Sequence, residues 1–127
     1  MATPRFTMVV LLVDDLARSL AFYRHLGMEF PPDADTRRDL QLDIGDGRHF
    51  VWTTTFVRNV PDRQPSSGGP RIMLEFFVED RASVDRLHIE LVEAGYRSRR
   101  APFLTDFCAY MCLVDDPDEN TVLITAG

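Results

Sequence analysis

Apolar and polar positions along the chain change period at regular intervals, and the changes repeat. From Phe6 to Val13 the residues are apolar except for Thr7, the pattern of a strand bounded by Pro4 and the acidic pair Asp14-Asp15. The period then becomes helical. Leu16, Leu20 and Tyr23, flanked by Ser19, Phe22 and Leu26, trace one stripe, with Asp15 suited to the N-cap and Gly27 to the stop. The same signature returns in the second half. Ile72 to Val78 forms an apolar run closing on Val78-Glu79-Asp80, and its last aspartate lies 65 residues after Asp15. A helix is predicted over Ser83–Ala94, with Val84, Leu87 and Leu91 on its buried side and Gly95 as its C-terminal stop.

After each helix the pattern switches to short strands between turn residues. In the first half these are Met28–Phe30, Leu40–Ile44 and His49–Thr55, with Gly45-Asp46-Gly47 as a tight hairpin. In the second they are Tyr96–Arg99, Tyr110–Val114 and Val122–Thr125, with a turn running from Asp115 to Asn120. Each half therefore reads strand-helix-strand-strand-strand. One module covers about 5–60 and the other about 71–127, joined by a Pro-, Ser- and Gly-rich linker over 61–70. Both opening strands are apolar on both faces, so each needs a helix on one side and something else on the other. For a curved sheet, that second face would line a cleft.

Composition narrows the function. The 127 residues include 14 Arg and no Lys against 20 Asp plus Glu, a net charge of −6. The arginines are scattered among carboxylates rather than gathered into the basic stripe a phosphate-tracking protein needs, which excludes nucleic acid as a partner. The length suits a single domain with a real core. No run reaches the ~20 apolar residues of a membrane span, and the amino terminus lacks a signal-peptide layout, so the expected location is the cytoplasm. Cys108 and Cys112 would lie ~13 Å apart on a strand, beyond the ~7 Å limit of a disulfide, and read as small buried apolar residues.

The stretch Val13-Asp14-Asp15-Leu16-Ala17-Arg18-Ser19-Leu20-Ala21-Phe22-Tyr23-Arg24-His25-Leu26-Gly27 resembles the opening motif of the vicinal oxygen chelate superfamily, the glyoxalase, bleomycin-resistance and dioxygenase proteins. Asp116-Pro117-Asp118-Glu119-Asn120 resembles its closing turn, with Glu119 standing where the motif has Gly, at a steric cost if φ is positive. The resemblance implies an α+β fold of two paired β-α-β-β-β modules whose curled mixed sheets surround a cleft. Within the superfamily the chain is most similar to mitomycin-binding and bleomycin-resistance drug-sequestering proteins, through Phe22 to Pro32, Trp52-Thr53-Thr54, Ala82 to Asp85 and Glu90 to Tyr96.

Metal-dependent relatives use a His, Gln or Glu in each module's first strand and a Glu in each module's last strand. Here the matching positions carry Met8, Met73 and Leu123, and the stretch Arg48 to Thr55 offers only His49 as a donor. Thioethers and alkyl groups do not hold a hard divalent cation, so no metal and no other cofactor is expected. The resemblance instead implies an apolar, aromatic site made of Met8, Met73 and Leu123 with Trp52, Phe103, Phe107 and Tyr110 near its mouth. Phe103 and Phe107 are expected in a loop. Glu75, the single charge in its strand, would accept a hydrogen bond from the ligand or attract an amine. The expected protein is a homodimer that sequesters a small, largely apolar or aromatic molecule, such as an antibiotic, without turnover. The alternative is a metal-independent lyase or isomerase using Glu75 or His49 as acid or base.

Overall fold

The computed structural model describes residues 5–59 and 72–127, so the expected linker at 61–70 lies outside the described residues. The chain runs β1 (Met8–Leu12), α1 (Leu16–His25), β2 (Asp39–Gly45), β3 (Arg48–Thr53), β4 (Met73–Phe77), α2 (Arg81–Glu93), β5 (Ser98–Leu104), β6 (Tyr110–Asp115) and β7 (Thr121–Ala126). Single helical turns also form at Ala34–Thr36 and Phe56–Asn59. The repeat extends to the atoms of the helix ends. The Asp15 carboxylate accepts from Arg18 N–H at 3.1 Å, and the Asp80 carboxylate from Ser83 N–H at 2.8 Å, each satisfying a donor that its helix leaves open. At the other ends Gly27 and Gly95 adopt φ of 87° and 96°. This left-handed step lets Met28 N–H reach Tyr23 C=O and Tyr96 N–H reach Leu91 C=O, at 3.2 and 3.0 Å.

The strands form two mixed sheets, a three-stranded one ordered β1-β3-β2 and a four-stranded one ordered β4-β7-β6-β5. In each, the opening strand lies parallel to the last strand of its module and the remaining neighbours run antiparallel. The expected strand at Met28–Phe30 does not form, so the first sheet is one strand short. Met28 N–H is already engaged at the helix end, and Pro31 and Pro32, just beyond, have no N–H to give a ladder. Its counterpart β5 runs further than expected, past Arg99 to Leu104.

The described residues group into two compact units, one of 5–20 and 29–59, the other of 21–28 and 72–127, with the boundary falling inside α1. In the first unit Leu11, Leu20, Leu40, Phe50 and Trp52 are buried. Trp52 stacks on Phe50 with centroids 4.3 Å apart and meets Phe30 edge-on at 5.2 Å. In the second, Val84 and Leu91 of α2 share the core with Cys112, Val114, Val122 and Ile124. Burying such aliphatic side chains contributes about 1.5–3 kcal/mol each.

Two buried carboxylates brace the second unit. Asp116 accepts from Tyr23 O–H at 2.8 Å and from Asp118 N–H, Asn120 N–H and the Asn120 amide, pinning the closing turn to the end of α1. Burial, then the charge and hydrogen bond of Asp116, raises the Tyr23 hydroxyl pKa far above its ordinary value, so it remains a donor. Asp115 receives Arg99 on both oxygens at 2.8 and 3.0 Å and the Thr121 hydroxyl at 2.8 Å. Glu119 adopts φ of 67°, the strained conformation that the motif's glycine would have carried freely.

Candidate functional site

Strand register turns the outer face of the first sheet into a grid. Met8 pairs with His49, Val10 with Val51 and Leu12 with Thr53 across β1 and β3. Across β3 and β2, His49 pairs with Asp43, Val51 with Gln41 and Thr53 with Asp39. Because paired residues point the same way, the three rows are Met8–His49–Asp43, Val10–Val51–Gln41 and Leu12–Thr53–Asp39. The β1 column is wholly apolar and the β2 column wholly polar. Over this face lies a cavity of about 470 Å³ lined by Met8, Val10, Leu12, Val51, Gln41 and Asp39 together with Thr53, Thr55 and Phe56. That volume lies within the ~300–1,000 Å³ typical of small-molecule sites.

Asp39 is the most organised group on this wall. Its Oδ1 accepts from the Thr53 and Thr55 hydroxyls and from Thr55 N–H, and its Oδ2 accepts from the Thr55 hydroxyl at 3.0 Å. The Thr53 bond first, then those from Thr55, hold its pKa below the ordinary 3.8. Every one of these donors is neutral. Among the described residues no arginine or histidine is paired with Asp39.

The donor positions of metal-dependent relatives can be located through the repeat. Val13 N–H bonds Thr53 C=O as Val78 N–H bonds Thr125 C=O, which makes β3 the counterpart of β7 and Val51 the counterpart of Leu123. All four positions, Met8, Val51, Met73 and Leu123, are therefore apolar, and His49 corresponds to Thr121 rather than to a ligand position. Among the described residues no three His, Cys, Asp or Glu side chains come together to hold a metal ion. This donor set does not fit a divalent metal, and no chemical step can be routed through one.

The expected site residues divide. Met8 lines the cavity. His49, half-buried, shares the face but does not line the cavity. Met73, Glu75 and Leu123 lie on one face of the second sheet, where Glu75 is opposite Leu123 and exposed. Trp52 is not at a cleft mouth. It alternates with Val51 and Thr53, points away from the cavity and is 0% exposed, because its ring supplies the stacking core of the first unit. Tyr110 also faces inward, its hydroxyl bonded to Asp85 of α2 and its ring beneath the Arg81 guanidinium at 5.6 Å. Phe103 belongs to β5 rather than to a loop, and the Arg100 guanidinium covers its ring at 3.5 Å. Phe107, 70% exposed, stands in the turn that Thr105 closes on Ala109. Missed from sequence were Val10, Leu12, Val51, Asp39, Gln41, Thr53, Thr55 and Phe56. Alternation from Met8 would have found the first two, whereas Asp39 and Gln41 read as the solvent side of a strand.

A duplicated strand-helix-strand unit, caps 65 residues apart and two mixed sheets of matching strand order define a glyoxalase-like α+β protein. The sequence profile of the Glyoxalase/Bleomycin resistance protein/Dioxygenase superfamily matches residues 5–124, and the chain belongs to that superfamily. No curated protein sequence matches it. Among solved structures it resembles a glyoxalase/bleomycin resistance protein/dioxygenase family enzyme from Burkholderia phytofirmans, with TM-score 0.75 and 20% identity over 94% of this chain and 96% of that one. It also resembles a glyoxalase-related enzyme from Fulvimarina pelagi, with TM-score 0.74 and 18% identity over 98% and 89%. A lactoylglutathione lyase from Agrobacterium tumefaciens matches with TM-score 0.61 and 18% identity over 100% and 96%. At these identities the likeness is one of fold. Among the described residues no helix is long and apolar enough to cross a membrane.

Proposed function

We propose that the chain binds a small, largely apolar molecule on the outer face of its first sheet and holds it without turnover, as a sequestering protein of the cytoplasm. The observation that carries this reading is the cavity itself, whose walls are Met8, Val10, Leu12, Val51 and Phe56. Apolar positions where metal-dependent relatives keep donors favour binding over isomerase or dioxygenase chemistry, since such chemistry depends on a metal polarising the substrate oxygens. An antibiotic is the ligand class that the similarity to drug-sequestering proteins favours. The ring available to a planar ligand in this cavity is Phe56, not Trp52.

A homodimer is part of the same reading. In the second unit Ile72, Met73, Phe77, Leu104 and Phe107 are exposed apolar side chains, and in the first Phe6 and Ile44 are too. Apolar surface of this extent is costly to leave in water and favours a second copy as cover.

The test is replacement of Val51 by Trp, which fills the cavity floor. A screen of planar quinone, anthracycline-like and peptide antibiotics by calorimetry should give at least one micromolar binder that the parent holds and V51W loses, recovered chemically unchanged. Light scattering should give twice the mass of one chain. Binding unaffected by V51W overturns the site, and conversion of the bound compound overturns the non-catalytic reading.

A further inference from the structure

We propose that the ligand of this cavity carries a cationic nitrogen on an apolar frame, and that Asp39 seats that nitrogen; the inference rests on the apolar-binding reading above. It follows from how the grid is ordered. A molecule lying across the strands presents its body to Met8, Val10, Leu12 and Val51, and its far edge reaches the β2 column of Asp39, Gln41 and Asp43. That edge has acceptors and negative charge. The Gln41 amide is its one side-chain donor, and the neighbouring Thr53 and Thr55 hydroxyls are already directed at the Asp39 carboxylate.

The carboxylate is oriented but not neutralised. A carboxylate offers about four lone-pair sites. The threonines crowd Oδ1, whereas Oδ2 takes only the Thr55 hydroxyl. Oδ2 thus retains acceptor capacity on a side chain that lines the cavity. His49, the imidazole on this face, lies two rows away, about 13 Å along β3 at ~3.3 Å per residue, too far to screen Asp39 in salt solution. An anionic ligand would be repelled and a neutral one would gain only a hydrogen bond. An ammonium or amidinium would gain a charge-assisted bond, with the Gln41 amide oxygen about 7 Å along the strand as a second acceptor.

The second sheet provides a built-in control. Asp115 occupies on β6 the grid position that Asp43 occupies on β2, and there the fold places Arg99 on both carboxylate oxygens. Where this protein uses a carboxylate on an outer face as a brace, it supplies an arginine. At Asp39 it supplies hydroxyls and leaves the charge.

The experiment uses a matched pair of probes, 2-(1-naphthyl)ethylamine and 2-(1-naphthyl)ethanol, titrated calorimetrically at pH 7.5 into the full chain and into Asp39→Asn, with thermal unfolding of both proteins as the folding check. The amine should bind the parent at least tenfold more tightly than the alcohol, and Asp39→Asn should reduce that ratio to about one. Raising salt should weaken the amine several-fold more than the alcohol, a readout that needs no variant. Equal binding of the two probes to the parent, or an equal loss of both in Asp39→Asn, overturns the cationic assignment and leaves the apolar site standing. Binding of neither probe at millimolar concentration overturns the apolar site and this inference with it.

Discussion

The two sheets are built on one plan and use their outer faces differently. Both open with a strand parallel to the module's last strand, and both helices start at a capping aspartate and end at a left-handed glycine. On the first sheet the outer face has an apolar column, a polar column and an unneutralised carboxylate beside a cavity. On the second, Met111 takes the position of Asp39 and Leu113 that of Gln41, while the one carboxylate of that column, Asp115, is 3% exposed and held by Arg99. Duplication copied the scaffold. The halves now differ in what partner each carboxylate received, an arginine at Asp115 and neutral hydroxyls at Asp39.

The strongest test of that contrast is to remove the two carboxylates in turn. Asp115→Ala leaves Arg99 without its partner beside a buried hydroxyl and should cost roughly 3 kcal/mol or more in urea unfolding. Asp39→Ala, on an exposed wall, should cost about 1 kcal/mol. Equal costs would erase the distinction between brace and site.

A second test probes how well the helix side of the second sheet is sealed. Burial, with a smaller contribution from the Asp85 charge, pushes the Cys112 thiol up to about 11, while Cys108 is exposed in the turn before β6. A thiol of that pKa is neutral below it, so at pH 8 only about one Cys112 in a thousand is thiolate. A chromogenic disulfide reagent should therefore label one thiol per chain quickly and the other at least a hundredfold more slowly, until denaturant releases it. Two fast thiols would mean that the α2 side opens readily.

Acid should affect both halves in the same direction. Hydrogen bonds from Thr53 and Thr55 lower the pKa of Asp39, and those from Ser83 lower that of Asp80. A carboxylate with a lowered folded-state pKa stabilises the fold fully above its ordinary 3.8, and the contribution is lost as pH falls through the folded value. Unfolding midpoints should fall below that pH, and Asp39→Asn should flatten part of the fall. A slope unchanged by the substitution would show that Asp39 is not held as the structure places it.

The smallest expected effect separates the two turns. Asp46 in the first sheet's hairpin has φ of 55°, which aspartate tolerates, whereas Glu119 at 67° pays a side-chain clash. Glu119→Gly should raise stability by up to about 1 kcal/mol, the relief of strain less the added freedom of the unfolded chain. Destabilisation would mean that the Glu119 side chain contributes to holding the closing turn.

Much of this scaffold is legible in the amino-acid sequence. The repeat, the two caps, the stops at Gly27 and Gly95, and the burial of Leu16, Leu20, Tyr23, Val84 and Leu91 follow from local chemistry and a 3.6-residue period, which act within a few residues. That Met8, Met73 and Leu123 stand where metal-dependent relatives keep donors is implied by the family resemblance, which the sequence motifs carry. The pattern at Met28–Phe30 points to a strand that does not form, because a short apolar run carries no record of where its backbone N–H groups are spent. Trp52 and Asp39 show the deeper limit. A period of two says that a strand has two faces, and it places Trp52 on one and Val51 on the other, but it does not say which face a helix covers. Likewise nothing near Asp39 in sequence announces Thr53 and Thr55, fourteen and sixteen residues away. Local pattern determined the elements and their ends. Only tertiary structure decided which faces closed and which donors met Asp39, because both depend on register between strands distant in the chain.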